Sequence, residues 1–402
     1  MQIAGLSVMV VEDHNFQRRV ALRLLEELGL TRLSEANDGK TALAALEQAA
    51  TPHDVVLVDL DLPEMDGIEF IGHVAARKLA RAVALASALD PALLNTVQGM
   101  ARAYGLRVLG VIEKPLTAAK LAETLSAYYK IEDPLVAEPD VEISLDALRE
   151  GLSNDEFEPF FQPKVEIKTG HVIGVEALAR WRHHGHWISP MRFIPVLERE
   201  GLIDPFTERM LVRSCHWRKK WAQEGLELKL AVNVSMLSLT KVDTADRYQQ
   251  LAVDNGVKPR DMVLEVTESS VMSEAAHVLN VLARLRLKGF GLSIDDFGTG
   301  YSSLAQLSQI PFTELKIDQG FVTGAARQQR KRAVVETSLD LARKLHLTAV
   351  AEGVETVEDW QMLAALGCQL AQGLLIAMPL PGDELQHAIR EWRPPELNAT
   401  RS

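Results

Sequence analysis

Residues 290–304 read Phe-Gly-Leu-Ser-Ile-Asp-Asp-Phe-Gly-Thr-Gly-Tyr-Ser-Ser-Leu. A short apolar run, Phe290–Ile294, ends on two aspartates and passes into a glycine-containing loop. A run of that length bounded by loop residues reads as a buried strand. The same layout recurs on both sides of it. Strand-like runs fall near Phe160–Val165, Val172–Ala179, Leu228–Val234, Met262–Val266, Leu315–Ile317, Leu347–Ala351 and Gln369–Ile376, with helical stretches between them. Eight strands alternating with helices over about 250 residues, from Ile143 to Trp392, have the size of a TIM-type (β/α) barrel. The carboxyl ends of barrel strands open on one face, where chemistry concentrates.

That face then carries Glu176, Asn233, Glu265, Glu268, Asp295, Asp296, Lys316, Asp318, Glu352 and Glu355. It is strongly anionic, and no His or Cys recurs at the strand ends. Hard oxygen ligands without nitrogen or sulfur indicate Mg²⁺ or Mn²⁺ rather than Zn²⁺. So many carboxylates need more than one divalent cation to stay ionised together. Two such ions side by side suit the hydrolysis of a phosphodiester.

Upstream, residues 1–130 have a second βα rhythm. Val8–Val11, Val55–Val58, Ala82–Ala86 and Val108–Ile112 read as buried strands, and Arg18–Gly29 and Thr41–Ala50 as helices. Such alternation predicts a doubly wound, flavodoxin-like parallel sheet, with its ligand site at the strand carboxyl ends. Glu12 and Asp13 follow the first of these runs, Asp59 and Asp61 the second, Ser87 the third, and Lys114 with Pro115 the last. Carboxylates converging on one crevice call for a cation, and oxygen ligation suits Mg²⁺.

The two segments are joined by residues 131–142, which hold five acidic residues, two prolines and no basic residue. This composition predicts an extended linker. Domains are therefore expected at 1–130 and 143–392, with a flexible tail at 393–402. The whole chain has 402 residues, a net charge of −12 and two cysteines, Cys215 and Cys368. Two cysteines exclude a disulfide framework. The acidic balance argues against nucleic-acid binding. No apolar run is long enough to span a bilayer, and no signal-peptide pattern opens the chain, so a cytoplasmic location without membrane insertion is expected.

The first segment resembles the receiver domain of two-component response regulators, most specifically in Asp59-Leu-Asp-Leu-Pro-Glu-Met-Asp-Gly67. The resemblance implies that Asp59 is the phosphoacceptor. Glu12, Asp13 and Asp61 would form the Mg²⁺ site, with Ser87 and Lys114 on the phosphoryl oxygens. The partner would be a cognate histidine kinase or phosphotransfer protein. The second segment carries Glu176-Ala-Leu-Ala-Arg180, Asn233-Val-Ser, Glu265-Val-Thr-Glu268, Asp295-Asp-Phe-Gly-Thr-Gly-Tyr-Ser-Ser-Leu304, Lys316-Ile-Asp318, Ala351-Glu-Gly-Val-Glu355 and Gln372-Gly373. These motifs, in this order, resemble EAL-domain cyclic di-GMP phosphodiesterases.

By that resemblance Glu176, Asn233, Glu265 and Asp295 hold one metal, while Asp295, Asp296 and Glu352 serve a second. Glu352 is the candidate general base, and Lys316 orients the attacking water. Gln162, Arg180 and Gln372 contact substrate. Glu268 anchors the loop after Asp295, and Asp318 and Glu355 play supporting parts. The implied activity is hydrolysis of cyclic di-GMP to pGpG, modulated through Asp59, in a homodimer or larger assembly. The alternative is a catalytically silent sensor of cyclic di-GMP acting through protein contacts.

Two positions depart from the family patterns. Val111 stands where receivers often have an aromatic switch residue. Leu374 and Ile376 stand where aromatic residues often follow the Gln-Gly pair, and both are assigned here to core packing.

Overall fold

The computed structural model describes residues 2–49, 51–87, 97, 100–101, 106–126, 128, 143–268, 276–298, 307 and 309–396. The chain divides into two compact units, Met1–Pro134 and Leu135–Ser402. The linker predicted at 131–142 lies outside the described residues.

In the first unit, strands β1 (Ser7–Val11), β2 (Arg32–Ala36), β3 (His53–Asp59), β4 (Ala80–Ser87) and β5 (Arg107–Glu113) form one sheet. All neighbours are parallel and the order is β2-β1-β3-β4-β5. This is the flavodoxin-like order of doubly wound folds. Alternate residues feed two cores, as the twofold period of a strand requires. Met9, Val11, Val56, Val58, Val83 and Leu85 pack on one face with Phe70 and Val74. Val8, Val10, Val55, Leu57, Ala84 and Ala86 pack on the other with Leu25 and Leu121. Strand β2 has no counterpart among the runs read from sequence. Its residues, Arg-Leu-Ser-Glu-Ala, are mostly exposed or half-buried. It is an edge strand, so no continuous apolar run betrays it.

In the second unit, β6 (Phe157–Glu166), β7 (Val172–His183), β9 (Lys229–Asn233), β10 (Met262–Thr267), β11 (Gly291–Phe297), β12 (Glu314–Ile317), β13 (Thr348–Ala351) and β14 (Leu370–Ala371) make the staves of a barrel. It closes through pairing of β6 with β7. Short strands β8 (His186–Ile188) and β15 (Leu380–Pro381) add to β7 and β6. Six of the junctions are parallel, from β7 round to β14, but β6 runs antiparallel to both of its neighbours. The first strand therefore enters the barrel at the mouth and descends. Of the eighth predicted run, Gln369–Ile376, only Leu370–Ala371 is strand, and the remainder turns across the mouth.

The barrel strands alternate between two environments. Val175, Ala177, Leu230, Val232, Leu264, Val266, Leu292, Ile294, Leu315 and Ile317 face the surrounding helices. Burying each of the valines, leucines and isoleucines among them contributes roughly 1.5–3 kcal/mol. The intervening positions, Glu176, Glu265 and Lys316, necessarily point into the barrel. Residues 393–396, expected in a loose tail, lie against the barrel. A Cβ on Gly170 would fall 2.4 Å from the Pro394 ring, and Glu396 accepts a hydrogen bond from Gln361 at 3.2 Å. Residues 397–402 lie outside the described residues. Among the described residues no helix is long and apolar enough to cross a membrane.

Candidate active site

Lys316 organises the barrel mouth. Its ammonium lies 3.1 Å from Glu176 Oε2, 3.1 Å from Glu265 Oε2, 3.0 Å from Asp295 Oδ1 and 2.7 Å from Glu352 Oε1. Lys316 is 1% exposed and Glu265 0% exposed, so these charges meet away from water. Burial alone would push the lysine down, but Asp295, Glu176, Glu265 and Glu352 outweigh it and hold Lys316 well above its usual range. Lys316 and a second buried lysine, Lys164, thus supply part of the positive charge that the carboxylates need.

The compensation is incomplete. Burial, reinforced by Glu176, pushes Glu265 up to about 8. Burial, with Asp295 and Asp318, pushes Asp296 up to about 7. Burial likewise raises Glu352 well above the carboxylate range. Glu176 goes the other way: burial raises it, but Lys316 and Lys164 win and lower it. Glu176, Glu265, Asp295, Asp296, Glu314 and Glu352 face two ammonium groups, so full ionisation leaves four negative charges unbalanced. Ligand oxygens of Glu176, Glu265 and Asp295 lie within 4.8 Å of one another, as do those of Asp295, Asp296 and Glu352. Asp295 belongs to both groups. An all-oxygen, electron-rich donor set of this kind fits hard divalent cations.

Two consecutive residues of a regular strand point to opposite sides. Asp295 and Asp296 nevertheless reach one cluster, because β11 shifts register between Ile294 and Phe297 and Asp296 has φ +55°. A bulge of this sort re-aims side chains beside functional sites, and a non-glycine residue in the left-handed region stores strain. The next residues are also held. Glu268, 2% exposed, accepts the Gly298 N–H at 2.8 Å. Gly298 has φ +103°, and a Cβ there would meet the Phe321 ring at 2.8 Å. The loop from 299 to 306, with Gly300, lies outside the described residues.

Other predicted residues line the same mouth. Asn233 donates to Glu176 Oε1 at 2.8 Å. Gln372 donates to Glu176 Oε2 at 2.7 Å and to Gln162 Oε1 at 2.8 Å, while Gln162 donates to the Ala377 carbonyl. Arg180 is buried over the Phe160 ring, 5.7 Å from its centroid. Asp318 caps the short helix Gln319–Val322 by accepting from Gly320 at 2.9 Å. Glu355 is half-buried in the loop after β13. The packing assignment holds for Ile376, which lies against the barrel core, but fails for Leu374, whose side chain is 57% exposed.

In the first unit Lys114 Nζ sits 2.8 Å from Glu12 Oε2 and 2.5 Å from Asp59 Oδ2. Asp59 is 6% exposed, and its other oxygen accepts the Asp61 N–H at 3.2 Å. The Asp61 side chain is exposed. Asp13 pairs with His14 at 2.9 Å; burial raises its carboxyl, but His14 outweighs this and lowers it. Burial raises Glu12 despite Lys114. Strand β4 ends at Ser87, whose side chain lies outside the described residues. Gly67 closes the crevice, where a Cβ would fall 2.5 Å from the Asp59 carbonyl oxygen. Val111 is half-buried against the core.

Residues 145–379 match the EAL domain family, and residues 8–126 match the response regulator receiver domain family. The chain belongs to the EAL-domain family. The cyclic di-GMP phosphodiesterase RocR of Pseudomonas aeruginosa is 37% identical over 379 residues, covering 94% of this chain and 96% of RocR. The bifunctional diguanylate cyclase/cyclic di-GMP phosphodiesterase MucR of the same organism is 40% identical over 240 residues, 59% of this chain and 35% of MucR. Among solved structures, the MucR phosphodiesterase in complex with c-di-GMP superposes with a TM-score of 0.57 at 40% identity. That match covers 60% of this chain and 98% of the solved one. This EAL domain follows a receiver domain, as the motif order predicts.

The sequence reading missed Lys164 and Glu314, both buried in the barrel interior. Their signal was periodicity. Lys164 lies two residues from Gln162, and Glu314 two from Lys316, so each shares its neighbour's inward face.

Proposed function

We propose that this chain hydrolyses cyclic di-GMP to linear pGpG at the barrel mouth, and that phosphorylation of Asp59 modulates the rate. The observation carrying this reading is the Asp295 carboxylate shared by two oxygen-ligand groups around Lys316. The name of RocR, similar over nearly the whole chain, supports the substrate. Glu176, Asn233, Glu265 and Asp295 would hold one Mg²⁺ or Mn²⁺, and Asp295, Asp296 and Glu352 the other. Divalent ions bound there supply Lewis-acid stabilisation of the phosphoryl oxygens and of the departing 3′ oxygen.

The chain's own groups do the rest. The Lys316 ammonium orients the attacking water and offsets the negative charge that develops. Glu352, held through Oε1 by Lys316, takes the water proton; its raised proton affinity suits a general base. One P–O bond forms to water, the P–O3′ bond breaks, and O3′ leaves as an alkoxide that takes a proton from solvent, while Glu352 releases the water proton to solvent. Arg180 and the Gln162–Gln372 pair position the substrate, the arginine by its planar fork. Glu268, through Gly298, fixes the start of the loop after Asp295. Asp318 and Glu355 support the strand ends.

In the receiver, Asp59 takes the phosphoryl group from a histidine kinase or phosphotransfer protein. Glu12, Asp13 and the Asp61 backbone hold Mg²⁺, and Lys114 and Ser87 contact the phosphoryl oxygens. The receiver spans 1–130 and the EAL domain 143–392, joined by an acidic linker, in a cytoplasmic homodimer or larger assembly. Turnover in H₂¹⁸O tests the chemistry: one labelled oxygen is expected in the 5′-phosphate of pGpG. Unlabelled product would refute water attack.

A further inference from the structure

Below the carboxylates and Lys316 lies a second buried cation that none of the motifs contains. Strand β6 descends into the barrel, so Gln162 stands level with Glu176 and Lys164 lies one inward position deeper, opposite Gly174. Lys164 is 4% exposed. Its ammonium is 2.7 Å from Glu265 Oε1 and 2.8 Å from Glu314 Oε1. Glu265 is thus gripped from both sides, Oε1 by Lys164 from below and Oε2 by Lys316 at 3.1 Å from the mouth.

We propose that Lys164 is a positioning residue for the metal centre: it pins Glu265 Oε1 from beneath so that Oε2 stays aimed at the mouth beside Glu176 and Asp295. The inference rests on the metal-site reading above. A buried carboxylate held at one oxygen has one rotational freedom fewer than a carboxylate held at none. Groups standing behind a ligand in this way typically change metal affinity by about 10–100-fold when removed. The competing role is purely structural, with Lys164 neutralising the buried Glu314.

The two roles separate in a double-mutant cycle on the full chain carrying Asp13→Ala to silence the receiver's own divalent site, read by Mn²⁺ binding (free Mn²⁺ by electron paramagnetic resonance) and by thermal unfolding. Lys164→Met is expected to weaken Mn²⁺ binding about tenfold or more, and Glu314→Gln by less than about twofold. In Lys164→Met/Glu314→Leu the charged pair is removed together. Such replacements of buried ion pairs are commonly tolerated, so this variant carries the test even where the single one unfolds. Its Mn²⁺ affinity is expected to stay about tenfold or more below wild type. Affinity restored to the wild-type value in the double variant would overturn the proposal in favour of the Glu314 role. Unchanged affinity in a folded Lys164→Met would overturn it as well. An Asp13→Ala chain with an unaltered barrel that binds no Mn²⁺ would overturn the metal-site reading and this inference together.

Discussion

Replacing Lys316 with Met removes the cation that Glu176, Glu265, Asp295 and Glu352 share, at 2.7 to 3.1 Å. Deleting one partner of a buried ion pair costs about 3–5 kcal/mol, and four dependent carboxylates place this case near the upper end. The loss depends on pH. Without the ammonium Glu265 and Glu352, already raised by burial, rise further, and Glu176 loses the lysine that most lowers it, so the folded barrel takes up protons that relieve the repulsion. The deficit is therefore expected to be largest at pH 8 and smaller at pH 6. All six tryptophans, from Trp181 to Trp392, lie in the barrel domain, so their fluorescence follows its unfolding without interference from the receiver. Urea titrations in EDTA at both pH values measure the gap. A Lys316→Met variant as stable as wild type at pH 8 would refute the electrostatic account of the mouth.

Glu352→Gln is expected to lower kcat about 10²-fold or more while substrate binding persists, since Glu176, Glu265 and Asp295 remain; wild-type turnover would remove Glu352 from its role. Asp59→Ala should abolish any response of hydrolysis to a phosphoryl donor, and a retained response would place the input elsewhere. Glu265, raised by burial from 4.5 to about 8, and Asp296, raised by burial from 3.8 to about 7, bind protons in the folded chain that the unfolded chain releases. The stability they contribute is present below their ordinary values and is lost as the pH climbs to about 8. Metal binding must displace those protons, so Mn²⁺ affinity should rise from pH 6 to 8. Calorimetry in two buffers of different ionisation enthalpy should then report net proton release at pH 7, and zero release would contradict the assignment.

The alternation of apolar runs made both architectures legible, because parallel strands covered by helices must be apolar on the helix-facing side. The carboxylates were legible for the complementary reason: Glu265 between Leu264 and Val266 can only face the barrel interior. Strand β2 was hidden because an edge strand needs no apolar run. The antiparallel entry of β6 was hidden because direction leaves no trace in periodicity. Lys164 was overlooked because a lone lysine in a strand reads as solvent-facing until its partners, Glu265 and Glu314, are seen across the barrel. The meeting of Asp295 with Asp296 needed the bulge at the end of β11, a feature of backbone register rather than of composition. Leu374 illustrates the opposite error, an apolar residue assigned to the core that stands at the surface.

The most direct measurement is chromatographic product analysis of the full chain incubated with cyclic di-GMP in Mg²⁺, in EDTA, and as Glu176→Ala in Mg²⁺. The account predicts pGpG from the wild type in Mg²⁺ alone. Tight binding of cyclic di-GMP with no pGpG in Mg²⁺ or Mn²⁺ would contradict it and identify a sensor, and pGpG formed in EDTA or by Glu176→Ala would contradict the metal assignment.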